Sequence, residues 1–353
     1  MPFNSLEPAL RKWATVMARI IIPAIIVLSP MYWFYSYGTI PGPGPVDGDE
    51  VRVAIPPGKG FQGVYWILVD NDVIEEDLRF GILASWRGVS KKLKAGEYVF
   101  ARPATPGDVL EKIVEGTTLL HPLTFQEGLT MYQVVEELSR QGWGGQEDLL
   151  DLCHDPDFIA SLGVQGASLE GYLFPDTYYL SRSQDGRAVL KMMVERFFEV
   201  SKTLEQLEAA LSEPAEKGAK EMTLHETVIL ASIIEKETGA AVERPQIARV
   251  FLNRLKKKMR LQADPTVIYG IGDFDGDLTR RDLRTPSAYN TYLLKGLPAG
   301  PIANPGKDSL KAVLQPAEGN WLYFVARGDG THYFSNNLKE HNRAVYKFQK
   351  KGK

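Results

Sequence analysis

The chain has 353 residues, 44% of them hydrophobic and 24% charged, with a formal net charge of −3. That length accommodates two or three ordinary domains, the composition excludes a largely disordered chain, and the charge leaves no footprint for nucleic acid. The one cysteine, Cys153, excludes an intramolecular disulfide; without a thiol-protease signature around it, it reads as a small buried hydrophobe.

Residues 1–19 form a tail carrying Arg11, Lys12 and Arg19, and Ile20 to Tyr37 is uncharged, Ile-rich at first and aromatic at its end. Its length is at the lower limit for one membrane span. Positive charge precedes it while Asp47, Asp49 and Glu50 follow, so the tail is expected in the cytoplasm and everything beyond on the outer side. Pro23 and Pro30 are better tolerated in a membrane helix than in a soluble one. Ser36-Tyr37-Gly38 allows a cleaved signal peptide instead; the length of the apolar run and its aromatic belt favour an anchor over 20–38. Pro41-Gly42-Pro43-Gly44-Pro45 then reads as a partly extended spacer over 39–50, reaching on the order of 40 Å at about 3.1 Å per residue.

Residues 51–142 contain a weak repeat. Val53 and Ile55 align with Leu123 and Phe125, Gly58 with Gly128, and Val64 and Leu68 with Val134 and Leu138. Each copy reads as a short strand, a glycine turn and an amphipathic helix. Thr130 and Gln133 have capping-box spacing, and another helix runs from Thr105-Pro106 to a stop at Gly116. The size and order of these elements resemble LysM-type glycan-binding modules, with a structural spacer as the alternative. From 143 the chain turns helical, interrupted by the aromatic segment Leu169 to Tyr178, which suits either a sugar groove or a core corner. A long helix follows over Ala188 to Leu211.

Thr223-Leu224-His225-Glu226 opens a helix that runs through Thr238 and stops at Gly239. Its middle is apolar on almost every side, so it is expected to be buried, and two carboxylates near its end need a reason to be there. At about 100° per residue, Glu235 shares a face with Val228, Ala231, Ser232 and Gly239, small neighbours that leave room for a ligand. Glu237 points to the other side, where an arginine would have to satisfy it. A carboxyl in a partly desolvated pocket gains the raised pKa of a general acid, and a salt-bridged structural role is the alternative for Glu235. The next helix starts at Glu243 and Pro245, carries the stripe Ile247, Val250, Phe251, Leu255 and Met259, and ends in a basic run including Arg254. That run is expected on a solvated face, complementing the helix dipole. Beyond it, Leu261 to Gly270, Thr285 to Tyr292 and Gly296 to Gly306 read as loops rich in Pro, Gly, amides and tyrosines, suited to a polar ring-shaped ligand. Trp321 to Val325 and Thr331 to Phe334 flank a Gly328-Asp329-Gly330 hairpin turn.

Three blocks carry a family resemblance: Leu230-Ala231-Ser232-Ile233-Ile234-Glu235-Lys236-Glu237-Thr238, Val250-Phe251-Leu252-Asn253-Arg254-Leu255, and Met259 through Gln262-Ala263-Asp264-Pro265-Thr266 to Gly270. With Pro286 to Tyr292, Gly296-Leu297-Pro298 and Ile302 to Gly306, in that order, they resemble the signature blocks of the YceG-like endolytic murein transglycosylases. The resemblance implies an α+β protein with one transmembrane helix, LysM-like α/β modules over 51–142, and a mixed α/β catalytic domain over 143–353 whose catalytic glutamate, Glu235, lies on a buried helix. It implies a cytoplasmic-membrane enzyme that cuts nascent peptidoglycan strands on the extracytoplasmic side, ends their elongation and works beside membrane-bound synthases. Neither cofactor nor metal is implied, and the five histidines show no zinc-binding pattern.

Glycosidases commonly use two carboxylates, whereas a lytic transglycosylase manages with one. Glu235 would protonate the MurNAc–GlcNAc bridging oxygen and then take the proton of the MurNAc C6 hydroxyl, leaving a 1,6-anhydro end. Gln262, Asp264, Tyr289, Asn290 and Tyr323 are the candidates for contacting the sugar. The alternatives are a water-using muramidase with Asp264 as second carboxylate, and a non-catalytic glycan-binding scaffold.

Overall fold

The computed structural model describes residues 8–43, 48–211, 222–272 and 274–350. It divides into two compact units, residues 1–121 with 181–183, and residues 122–180 with 184–353. The two copies of the repeat thus fall in different units, although the sequence suggested one region over 51–142.

In the first unit α1 spans Pro8–Tyr37, and its segment Thr15–Tyr37 is long and apolar enough to cross a membrane. The helix starts earlier than the apolar run, because Pro8 is a favourable first-turn residue and the residues after it are good helix formers. There follow β1 (Glu50–Ile55), α2 (Phe61–Asp70), α3 (Leu78–Trp86), β2 (Gly96–Ala101) and α4 (Pro106–Glu115). β1 and β2 pair antiparallel from Glu50 opposite Ala101 to Ile55 opposite Gly96. Val53 and Ile55, on the inner side of β1, meet Val64 and Leu68 of α2, Phe80 and Leu83 of α3, Phe100 of β2 and Ile113 of α4 in one core. Thr105 caps α4, and Gly116 ends it in the left-handed region at φ 77°, as the sequence indicated.

The spacer expected over 39–50 is not free where it is described. The Gly42 N–H donates to Ala104 O at 2.8 Å and the Gly107 N–H to Gly38 O at 3.2 Å, so the chain leaving α1 is bonded directly to the module. A Cβ on Gly107 would stand 2.5 Å from Gly38 O. These glycines permit close backbone contact, which composition alone does not distinguish from flexibility. Residues 44–47 of that segment and 1–7 of the tail lie outside the described residues.

The second unit contains all but the first residue of β3 (His121–Thr124), then α5 (Met131–Arg140), α6 (Gln146–His154), α7 (Pro156–Ser161), β4 (Thr177–Leu180) and α8 (Gly186–Leu211). It continues with α9 (Leu224–Glu237), α10 (Arg244–Lys256), α11 (Asp264–Ile271), α12 (Lys307–Leu314), the strand pair β5 (Tyr323–Ala326) and β6 (His332–Ser335), and α13 (Leu338–Val345). β3 pairs with β4. Capping boxes open α5 at Thr130 and α9 at Thr223. Every residue of α9 from Thr227 to Ile234 is buried, and the helix packs against α10, α11 and α12. The aromatic segment is a core corner, since Leu169, Tyr172, Leu173, Phe174 and Tyr178 are all buried. The stretch from Leu261 to Gly270, expected as loop, instead holds α11, with Pro265 in its first turn.

Candidate active site

Glu235 and Glu237 leave the end of α9 about 200° apart around its axis and enter different environments. The Ser232 hydroxyl, on Glu235's face, donates to Ile229 O at 2.7 Å and accepts the Ile302 N–H at 3.0 Å. The small residues of that face therefore admit the 302–306 backbone, where the sequence suggested room for a ligand. Glu235 Oε1 accepts from Arg244 Nη2 at 2.8 Å and Oε2 from the Gly306 N–H at 2.9 Å. The two side chains of this ion pair are 5% and 8% exposed. Arg244 also reaches Glu127 at 3.3 Å and Asp308 at 3.9 Å. Burial and the neighbouring Glu235 charge push the Glu127 pKa up, against the pull of Arg244. Glu235 thus accepts one hydrogen bond at each oxygen, from Arg244 and from the Gly306 N–H, and is paired with a buried cation.

Glu237 is partly exposed and, among the described residues, accepts no hydrogen bond and forms no ion pair within 4 Å. Burial of its carboxyl, and secondarily the negative charge of Asp264, push its pKa up to about 7, with Arg254 opposing. Arg254 was expected on a solvated face, yet it is 7% exposed. It continues the apolar stripe seven residues after Ile247, and its guanidinium donates to Leu322 O at 2.7 Å and Leu261 O at 2.6 Å. Its charge is therefore fixed near Glu237 without being spent on a carboxylate.

The other expected residues divide. Asp264 is exposed and accepts from the Tyr292 hydroxyl at 2.5 Å. Tyr323 lies beneath the Arg254 guanidinium, 5.2 Å from the ring centroid, and stacks on His341. Burial, then the Arg254 charge, lowers the His341 pKa. Gln262 is exposed, with a left-handed φ of 52° that is uncommon for a residue with a side chain; its N–H is held by Thr291 O. Asp264, Tyr323 and Tyr292 thus gather electrostatically around Glu237 and Arg254, and Gln262 is next but one to Asp264.

Tyr289 packs edge-on against Tyr269, 4.8 Å between centroids, beside Glu170. Asn290 must be corrected. It is 1% exposed, its amide donates to Thr285 O at 2.8 Å, and its Oδ1 accepts the Tyr292 N–H at 2.9 Å. It shapes the loop and has no group to offer a sugar.

Two further residues were not singled out in the sequence, although Asn304 lies within the Ile302 to Gly306 block. Glu170 is 2% exposed and accepts from the Met131 N–H at 2.9 Å and the Tyr269 hydroxyl at 3.0 Å, while burial pushes its pKa up to about 7. The Asn304 Oδ1 accepts the N–H groups of Gly171 and Leu173, and its amide donates to Leu129 O. Cys153 is buried, which pushes its thiol up to about 12. Among the described residues no group of three His, Cys, Asp or Glu side chains is placed to hold a metal ion.

A carboxyl whose burial raises its pKa to about 7, on a residue still partly exposed and with a fixed cation and a second carboxyl group beside it, can deliver and recover a proton at a bound ligand. The sequence profile described as the YceG-like family matches residues 53–347. A Bacillus subtilis protein named endolytic murein transglycosylase is 31% identical over 323 residues, covering 86% of this chain and 87% of its own. A Streptococcus pneumoniae protein of the same name is 28% identical, and the match spans 85% of this chain but 59% of that longer protein. A crystal structure of a YceG-like protein from Listeria monocytogenes superposes with a TM-score of 0.55 at 33% identity, covering 84% of this chain and 99% of that one.

Proposed function

Since the chain belongs to the YceG-like family, we propose that it is an endolytic murein transglycosylase, and that Glu237 rather than Glu235 is its proton donor. The observation that carries the assignment of the acid is a contrast: Glu237 has no hydrogen-bond or ion-pair partner among the described residues and a pKa pushed up to about 7, whereas Glu235 is paired with the buried Arg244 and bonded to the Gly306 N–H. In this mechanism protonated Glu237 donates to the oxygen between MurNAc C1 and the following GlcNAc as that bond breaks. Positive charge develops on C1, and the carboxylate of Asp264 lies on hand to stabilise it. The Glu237 carboxylate then removes the proton of the MurNAc C6 hydroxyl, whose oxygen bonds to C1. The strand ends in a 1,6-anhydro sugar, Glu237 is protonated again, and no water is consumed. Exposed Gln262 and half-buried Tyr323 would orient the sugar.

Asp264 beside Glu237 also favours a second reading, hydrolysis with a second carboxylate activating water. The product mass separates the two. Glu237→Gln tests the acid directly: it keeps shape but removes the transferable proton, a contribution typically worth about 10²–10⁴-fold. Retention of more than a tenth of the wild-type rate would refute the assignment.

The β1–α2–α3–β2 order with antiparallel strands supports a LysM-like module within the first unit, and α1 supports a single-pass anchor. The charge asymmetry around α1 supports catalysis on the extracytoplasmic face of the cytoplasmic membrane, where nascent glycan and its membrane-bound synthases are the expected partners.

A further inference from the structure

α3 buries one face and leaves another bare. Phe80, Leu83 and Ala84 enter the core of the first unit, while Leu78, Ile82 and Trp86 are 72%, 46% and 76% exposed. These three recur every fourth residue, so they form one stripe about 80° wide on the helix surface. Three large apolar side chains in a row on a short helix call for a covering partner.

The position of the stripe identifies that partner. Trp86 meets Phe34 of α1 edge-on at 6.1 Å between ring centroids. The Arg79 guanidinium lies 4.5 Å from the Trp33 ring centroid and 4.4 Å from that of Tyr37. Both ends of α3 therefore touch the last turn or so of α1, which means α3 crosses the span instead of running alongside it. A helix crossing a membrane span at its outer end lies along the membrane surface. The exposed rings of Trp33 and Tyr35 mark the same level, since aromatic residues concentrate at the boundary between hydrocarbon and headgroups. Ile40, just after the span, is exposed too, and exposed Arg87, Lys91 and Lys92 follow α3, suitably placed for lipid phosphates.

We propose that α3 is a second membrane contact: its Leu78–Ile82–Trp86 stripe sits in the interfacial layer of the outer leaflet and seats the first unit on the bilayer. The inference rests on the reading of α1 as a membrane span. The close contacts of Gly38 and Gly42 with the module then have a purpose, because a free spacer would let the stripe leave the surface.

The test uses the full chain in vesicles of phosphatidylethanolamine and phosphatidylglycerol. An environment-sensitive fluorophore is attached, one site at a time, to Leu78→Cys, Ile82→Cys, Glu111→Cys and Ile26→Cys; native Cys153 is buried, and labelling of the unsubstituted protein sets the background. Glu111 is exposed on α4 and serves as the aqueous reference. The expected result is a blue-shifted probe at 78 and 82, quenched severalfold more by lipids spin-labelled near the headgroup than the probe at 111. Ile26 should be quenched best by lipids labelled deep in the chain. Quenching at 26 with positions 78 and 82 behaving like 111 overturns the proposal and leaves the anchor standing. Loss of quenching at 26 as well removes the anchor and the proposal together. A blue shift at 82 that lipid labels do not quench and that fades on dilution of protein in lipid would mean that a second copy covers the stripe, which also overturns it.

Discussion

Replacing Glu237 separates its chemical role from its cost. Its folded pKa of about 7 lies above the ordinary value of 4.5, so the fold favours the protonated form. That contribution to stability is complete below about pH 4.5 and is lost as pH rises through about 7. Glu237→Gln should therefore match the wild type in thermal melts below about pH 4.5, exceed it increasingly between about 4.5 and 7, and keep that margin above 7, while cleavage is lost at every pH. Glu170, raised in the same direction, is present in both proteins and cancels in the comparison. In the wild type, cleavage should decline as pH rises through about 7, because the acid must carry its proton. Melting curves and initial rates at pH 5 and 8.5 check both statements.

Glu235→Gln should act in the opposite way. It leaves buried Arg244 with only its longer contacts to Glu127 and Asp308, and breaking a buried ion pair costs on the order of 3 kcal/mol. Denaturant unfolding should show that loss, while cleavage per folded molecule stays within about a factor of ten of wild type, well short of the loss expected for a missing general acid. A folded, equally stable Glu235→Gln protein that cannot cleave would return the catalytic role to Glu235.

At the scale of elements, Asn304 connects three segments that sequence spacing cannot relate: the turn before α5, the corner at Gly171 to Leu173, and the approach to α12. Asn304→Ala strands two buried N–H groups at about 1–3 kcal/mol each. Hydrogen exchange should accelerate first at the Gly171 and Leu173 amides, and unchanged protection there would contradict the clamp. What was legible beforehand was local. The Thr130 and Thr223 capping boxes, the Gly116 stop and the burial of α9 follow from residues within a turn of one another. The repeat was legible too, down to Gly58 and Gly128, both at φ 78°. What escaped depends on distant partners. Arg244 decides which glutamate is free, Arg254 looked solvated because a basic run surrounds it, and Asn290 turned inward to loop carbonyls. Gly42 looked like part of a free spacer because composition does not reveal which backbone it meets.

At the scale of the whole molecule, α1 is the one described helix long and apolar enough to cross a membrane, and the account requires the chain after α1 to lie on the outer side of the membrane. A reporter fused after Lys353 that works only outside the cytoplasm should be active, and activity confined to a cytoplasmic reporter would reverse the topology. The account's central claim is the reaction itself: one carboxyl, no water, an internal sugar oxygen as nucleophile. Digestion of uncrosslinked glycan strands in isotopically heavy water, followed by mass spectrometry, tests it most directly. The predicted products end in 1,6-anhydro-MurNAc, one water lighter than hydrolytic fragments and free of heavy oxygen. Reducing MurNAc ends carrying heavy oxygen would contradict it and make the enzyme a hydrolase.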